Sequence, residues 1–221
     1  MNHYPIYLTI QDRSCLVIGG GLVGTRKVKT LLRCGARVTV ISPDTTDALK
    51  DLARTGRVTL ISRAYTTDDL TGVFLVFCAT SDRDLNRRIA GDAEKKGVLC
   101  NVADLPDASS FIVPSVVNRG DLTLAVSTGG TSPAFAKKLR RDLERQFGDE
   151  YAVFLDLMGR IRKKLLTDHH DPQAHKVLFE QLIDGELLDH LKTGQTDAVR
   201  SLLNRVLGPG FDGLLDHEDT L

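Results

Sequence analysis

The chain contains no tryptophan, and phenylalanine and tyrosine bring its aromatic share to only 5%. That leaves little material for a base-stacking surface. Its 29 basic and 29 acidic residues cancel, so bulk attraction to nucleic acid is not expected either. Long apolar runs are missing. Val73 to Ala79 is typical and only strand-sized, far short of the ~20 residues that span a bilayer. The opening M-N-H-Y-P-I-Y has no basic segment followed by an apolar one, so no signal peptide is read there. The four cysteines, Cys15, Cys34, Cys78 and Cys100, make no C-x-x-C pair. Three of them lie in strand-like runs, which predicts buried free thiols and a reducing, cytoplasmic setting. The histidines are scattered, with His169-His170 read as a loop pair. No H-E-x-x-H and no Cys/His cluster at zinc spacing occurs, so no structural metal is expected. Neither G-x-S-x-G nor a Walker A lysine appears, which disfavours hydrolase and kinase chemistry.

What is present is glycine in one decisive place. Cys15 to Ile18 runs straight into Gly19, Gly21 and Gly24, a G-x-G-x-x-G after a strand-like run. In that pattern the first glycine permits a tight turn, the second lets backbone approach a pyrophosphate, and the third brings the next helix close to the sheet. The helix should start near Leu22 and end at Cys34-Gly35, its free N–H groups facing an anion. Strand-like and helical stretches then alternate: Arg37 to Ser42, Asp47 to Arg54, Val58 to Ser62, Val73 to Ala79, Asp82 to Lys96 and Val98 to Val102. Asp68 to Leu70 reads as a short turn or helix, and Tyr4 to Thr9 as a leading edge strand. Short connections between such elements predict an open parallel sheet with right-handed crossovers.

Beyond Asp104 the pattern changes. Phe111 to Val117 and Leu122 to Ser127 read as two strands joined by a turn at Asn118 to Asp121. Ser132 is a natural N-cap with Pro133 at the first helical position, opening a basic helix over Ala134 to Phe147. Only helices follow: Tyr151 to Leu166, Gln173 to Ile183, Gly185 to Leu191 and Thr196 to Leu207, broken at His169 to Pro172, Gly194 and Pro209. Asp212 to Leu221 reads as an acidic tail.

Four places carry chemistry, each with an ordinary alternative. Asp44, preceded by Pro43, lies twenty residues after Gly24, where a dinucleotide fold sets a carboxylate on the ribose; alternatively it caps the following helix. No arginine directly follows the second strand, which favours NAD over NADP. Thr80 ends the long apolar strand, within reach of the nicotinamide end, while Ser81 or Asp82 can cap the next helix. Asn101 and Asp104 take the equivalent place on the next strand. Asp104 is either a proton acceptor or metal holder beside the crevice or a surface aspartate; Asn101 would orient rather than react. Ser127 to Pro133 is a glycine-rich loop delivering a helix N-terminus, an anion site by backbone geometry. Lys137, Lys138, Arg140 and Arg141 follow it and suit either a polycarboxylate ligand or a solvated face.

With those residues placed, the chain resembles the siroheme synthase dehydrogenase module, a family of precorrin-2 dehydrogenases, some of which are also sirohydrochlorin ferrochelatases. The resemblance rests on C-L-V-I-G-G-G-L-V-G-x-R-K at Cys15 to Lys27, F-C-A-T-S-D at Phe77 to Asp82 and N-V-A-D at Asn101 to Asp104. It rests further on A-S-S-F-I-V-P-S at Ala108 to Ser115 and A-V-S-T-G-G-T-S-P at Ala125 to Pro133. It covers residues 1 to about 165, and the helical tail matches only in general character. It implies an α/β protein: a Rossmann-like NAD-binding domain at 1–113, a central strand-helix dimerisation region at 114–147 and an all-helical domain at 148–221, with the site between domains of a homodimer. It implies NAD-dependent oxidation of precorrin-2 to sirohydrochlorin, with iron or cobalt insertion into sirohydrochlorin as an alternative second activity. Asp104 matches the essential carboxylate, implicated also in chelation, and Leu22, Val23, Pro43 and Asp44 match positions that contact NAD. The phosphorylatable serine of fused members corresponds to Thr128 here, a departure from that serine. The substrate's eight carboxylates give the basic helix and its loop a reason to face the cleft, with Arg119, Lys137 and Arg141 as candidate partners. A chain of 221 residues leaves no room for the fused methyltransferase, so a separate uroporphyrinogen methyltransferase is expected to supply precorrin-2. Other readings are a generic oxidoreductase acting on another polycarboxylate, and a non-catalytic NAD- or tetrapyrrole-binding regulator or carrier. No nucleic-acid or membrane partner is expected.

Overall fold

The computed structural model describes residues 3–167 and 172–215. The contacts divide the chain into two compact units, Met1–Val113 and Pro114–Leu221. The first is a five-stranded parallel sheet of β1 (Ser14–Gly20), β2 (Arg37–Thr45), β3 (Thr59–Ile61), β4 (Leu75–Cys78) and β5 (Leu99–Val102), in the order β3-β2-β1-β4-β5. The connecting helices are α1 (Leu22–Arg33), α2 (Asp47–Arg54) and α3 (Arg83–Lys95). The order reverses between β1 and β4, so the loops after those strands open at the topological switch point where ligands bind in such sheets.

Alternate side chains of β1 fill opposite layers. Cys15 and Val17 join Val28 and Leu31 of α1 and Leu49 of α2; Leu16 and Ile18 join Ile89 and Ala93 of α3. All of these are buried, each large aliphatic side chain contributing about 1.5–3 kcal/mol of transfer free energy. β1 and β4 read as unbroken apolar runs because helices or loops cover both faces. Asp82 starts α3, its carboxylate accepting from the Asp84 and Leu85 amides at 3.0 Å each, so the capping reading of that residue holds.

Three stretches of this unit depart from expectation. Tyr4 to Thr9 forms no strand: Tyr4, Ile6 and Tyr7 are exposed. The chain reaches β1 only after a turn at Asp12, whose φ is +57°. Strand β2 does not close at Ser42 but continues to Thr45. Ile18 pairs Ile41 and Gly20 pairs Thr45, so Ser42, Pro43 and Asp44 bulge opposite Gly19 alone. A bulge tolerates Pro43, which has no ladder donor. Phe111 lies outside any strand and packs edge-on against Phe77, ring centroids 5.7 Å apart. The segment before it seals β5 instead: Ser109 Oγ accepts from the Val102 amide at 2.9 Å and Ser110 Oγ from the Cys100 amide at 2.8 Å. Hydroxyls thus satisfy donors that an edge strand otherwise leaves open.

The second unit holds an antiparallel pair, β6 (Ser115–Arg119) and β7 (Leu122–Val126), then helices α4 (Pro133–Gln146), α5 (Glu150–Thr167), α6 (Pro172–Ile183), α7 (Leu187–Lys192) and α8 (Thr196–Leu207). The β6–β7 turn is tighter than Asn118 to Asp121, since Asn118 and Arg119 still pair with Thr123 and Leu122. Ser132 caps α4, its Oγ accepting from the Phe135 amide, with Pro133 next. Helices α5 to α8 enclose Leu157, Ile161, Leu165, Leu182, Leu187 and Leu203. The expected acidic tail begins as a single 3-10 turn, Asp212–Leu215, anchored by buried Phe211 and by Leu214, whose carbonyl accepts from Arg160 at 2.5 Å. The remainder of that tail, and the His169-His170 pair, lie outside the described residues.

Cys15, Cys78 and Cys100 are buried free thiols and Cys34 is exposed. Burial, with a smaller push from Cys34, raises the Cys15 thiol to about 11. The Cys78 and Cys100 sulfurs lie 3.7 Å apart, and that contact together with burial pushes the Cys78 thiol up. Neutral, covered thiols are poor nucleophiles. Alkylation of the native protein at mildly alkaline pH should therefore modify Cys34 alone, with the other three reacting only after denaturation. Mass spectrometry of tryptic peptides checks this.

Candidate functional site

The site is built on the loop after β1. Gly19 has φ +111°, and a Cβ there would press into the Ala79–Thr80 backbone. A Cβ on Gly24 would collide with the Gly19 carbonyl, so the third glycine lets α1 close onto the strand. Gly21 is different, because nothing lies within 4 Å of where its Cβ would be. Space is therefore left at the glycine that faces the cofactor in a dinucleotide site. As N-cap of α1, Gly21 offers no side chain to the helix's first amides, and the first turn carries no acid. Those amides are without intrahelical partners, and the helix dipole adds to their attraction for an anion. The local geometry fits a pyrophosphate.

Asp44 comes to this loop through the bulge in β2. A Cβ on Gly20 would meet the Asp44 carbonyl at 2.5 Å, so the two backbones run in contact. Ser42 Oγ donates to that same carbonyl at 2.7 Å. The N-cap of α2 is Thr46, not Asp44, so the capping alternative for Asp44 is overturned and Pro43 and Asp44 stand exposed at the strand's carboxyl end. Two hydroxyl residues whose types no motif specifies stitch the arrangement together. Thr25 Oγ1 lies 2.9 Å from the Gly21 carbonyl and 2.8 Å from Thr46 Oγ1, and the Thr46 amide donates to the Gly20 carbonyl at 3.0 Å.

Thr80 follows β4 beside Gly19, and its hydroxyl is engaged. It sits 2.7 Å from Asn86 Oδ1, while Asn86 Nδ2 donates to the Thr80 carbonyl at 3.0 Å. Buried Asn86 thus fixes the shape of this loop. Asn101 is also buried, its amide donating to the Phe111 carbonyl at 2.9 Å. Asp104 lies two residues past β5, held by the turn in which the Ala103 amide donates to Cys78 at 3.0 Å. Its side chain is exposed and, among the described residues, makes no hydrogen bond or ion pair. Leu22 and Val23 are exposed at the head of α1. Lys27, which closes the Cys15 to Lys27 motif, is half-buried with its ammonium 4.7 Å from the Phe77 ring centroid. Burial, and then the charge of Arg26, lower its pKa.

In the second unit Arg119 is not a free cation. It donates to the Asn118 and Glu144 carbonyls at 2.9 and 3.2 Å and lies 3.3 Å from Asp149. Thr128 Oγ1 accepts from the Ser132 amide at 3.1 Å, closing the loop before α4. On α4, Lys138 pairs with Asp142 and Arg140 with Glu144. Lys137 and Arg141, four apart on one face, are exposed and without an ion pair among the described residues.

Residues 6–115 match a family described as NAD(P)-binding, and residues 119–146 one described as sirohaem biosynthesis protein, central. The chain belongs to the siroheme synthase and precorrin-2 dehydrogenase family. It is 33% identical over 94% of its length to the siroheme synthase of Methylobacillus flagellatus, and 34% identical over 96% to that of Nitrosococcus oceani. It spans 44% and 45% of those two relatives, less than half of each. The solved structure of SirC, a precorrin-2 dehydrogenase, superimposes with a TM-score of 0.80 at 26% identity, over 93% of this chain and 99% of SirC.

The two glycines predict separable effects. Gly24→Val forces α1 off β1 and should cost more than about 2 kcal/mol in denaturant unfolding, as overpacked sites do. Gly21→Val meets nothing in the protein and should unfold normally, yet weaken NAD binding at least about tenfold, an increment of ~1.4 kcal/mol, by titration calorimetry.

Proposed function

We propose that the protein is an NAD-dependent precorrin-2 dehydrogenase of siroheme biosynthesis. The observation that carries this reading is an exposed, unpaired Asp104 carboxylate at the same carboxyl edge of the sheet as the Gly21 opening. Their strands, β1 and β5, are separated only by β4, about 10 Å at the usual strand spacing. The family membership supplies the chemistry to which that edge is put.

In this proposal the amides of Leu22 and Val23 hold the pyrophosphate, Gly21 leaves it room, and the Asp44 carboxylate takes the adenine ribose. The bound NAD supplies the hydride acceptor. Precorrin-2 loses one hydride and one proton in becoming sirohydrochlorin, and Asp104 receives the proton on a carboxylate oxygen. Exposure then lets it return that proton to water, so the product side balances as NADH and H⁺. Thr80 and Asn101 shape the loops flanking this edge through the bonds they make to Asn86 and Phe111. Lys137 and Arg141 are the proposed partners for substrate carboxylates, where charge-assisted bonds give direction as well as strength. Thr128 orders the loop before them, and Arg119 serves the fold of that unit.

Several wider assignments belong to the same proposal. A homodimer through the central region, 114–147, is supported by the two-stranded β6–β7 ribbon, marginal on its own, and by exposed Val116 and Phe135. A uroporphyrinogen methyltransferase supplies the substrate. The buried reduced thiols support a cytoplasmic setting, and among the described residues no helix is long and apolar enough to cross a membrane.

Purified protein given precorrin-2 and NAD should produce NADH and the sirohydrochlorin spectrum together; an unchanged spectrum without NADH rejects the proposal. Asp104→Ala should lower kcat/KM at least about 100-fold, the usual scale of a lost general base, while NAD affinity stays within about twofold. Loss of NAD binding instead would place Asp104 in the cofactor site. Sirohydrochlorin with Fe²⁺ or Co²⁺ and no NAD reads out the second activity: insertion faster than the protein-free control, abolished in Asp104→Ala, would give that carboxylate a role in chelation.

A further inference from the structure

Helix α1 carries four cations, Arg26, Lys27, Lys29 and Arg33, and no acid. Lys27 turns inward over Phe77. The other three follow one face at helical spacing, where like charges repel. Other helices carry acids of their own and pair some of their cations with them: Lys50 with Asp47, Arg87 with Asp84, Lys138 with Asp142, Arg160 with Asp156. Among the described residues Arg26, Lys29, Arg33 and Arg57 have no ion-pair partner.

These four line one groove of about 630 Å³ between α1 and the end of α2, with Leu22, Leu32 and Leu52 among its lining. That is a ligand-sized volume. The combination of aliphatic floor and four-cation rim selects an amphipathic polyanion: an apolar ring system with carboxylates at its periphery. A purely charged solute would gain nothing from the leucines, and a neutral one nothing from the cations. The groove meets the cofactor loop at one end, at Leu22 and Thr25. It follows α1 to Arg33, about 16 Å further at 1.5 Å per residue, and ends at Arg57, ahead of the amino end of β3. Most of it lies away from the edge that holds Asp104.

We propose that this groove is a second tetrapyrrole site, docking the polycarboxylate macrocycle outside the catalytic edge. The choice of macrocycle rests on the dehydrogenase reading; the groove and its charge do not. Bound there, substrate or product is held at the protein surface beside the cofactor loop, with its carboxylates on Arg26, Lys29, Arg33 and Arg57.

The test uses uroporphyrin, a stable octacarboxylate porphyrin, titrated into the full chain and followed by its Soret absorbance. Lys29→Gln, Arg33→Gln and Arg57→Gln are combined, exposed positions changed to a good helix former. The combined variant should lose at least tenfold in affinity for one class of sites. Asp104→Ala should retain that class, and citrate at equal carboxylate concentration should displace little. Should the combined variant melt early, Arg57→Gln, which lies outside the helix, should still cost at least threefold. An isotherm unchanged by the substitutions, or displacement by citrate as effective as by porphyrin, overturns the proposal. NADH formation from saturating precorrin-2 should be unchanged in the variant. If the wild type makes no NADH while the groove-dependent binding persists, the dehydrogenase reading fails and the porphyrin site stands. If NADH forms while the isotherms coincide, only the groove is lost.

Discussion

The site depends on the close approach of backbone to backbone where β1 ends. Gly24 lies against the Gly19 carbonyl, Gly19 against Ala79 and Thr80, and Gly20 against Asp44. Each contact exists because a Cβ is missing, and together they draw α1, β4 and the bulged end of β2 to one point. Gly21 is the position where the missing Cβ leaves open space instead. The same residue type thus has two consequences within six positions: three glycines close the protein on itself and one leaves open space. Hydroxyls complete what the glycines begin, through Thr25 and Thr46 on one side and Thr80 with Asn86 on the other.

Within each unit the charges divide into used and unused. Arg119 is drawn into the junction between β6, α4 and Asp149, and Lys138 and Arg140 into pairs along their own helix. Surface pairs of this kind contribute little stability, but they remove cations from the pool available to a ligand. Lys137 and Arg141 on α4, and the stripe on α1, are among the cations left without an ion pair in the described residues. Asp104 and Asp44, at the carboxyl edge of the sheet, are likewise without an ion pair among the described residues. A formal charge of zero therefore conceals local groups of unpaired charge.

The alternation of apolar runs with helical stretches made the parallel sheet legible from sequence, because strand and helix periods are local properties. The glycine spacing and the Ser132-Pro133 helix start were legible for the same reason. Boundaries failed where the deciding partner lies far along the chain. Tyr4 to Thr9 has strand-like residues but no neighbour to pair with, and β2 runs past Pro43 because Gly20 accepts its continuation as a bulge. Ser109 and Ser110, part of a recognisable motif, gave no hint that their hydroxyls seal β5.

The sequence by itself determined the order of strands and helices, the glycine loop and the identity of the carboxylate after β5. These depend on periodicity and backbone permission, which neighbouring residues settle among themselves. Tertiary structure alone decided which polar groups remain free. Asn101, Arg119 and Thr80 look like ligand contacts in a string of letters but spend their hydrogen bonds within the fold, whereas Asp104, Lys137 and Arg141 do not. A polar side chain's availability is set by the donors and acceptors that packing brings to it, and those can come from far along the chain, as Glu144 comes to Arg119 from twenty-five positions away.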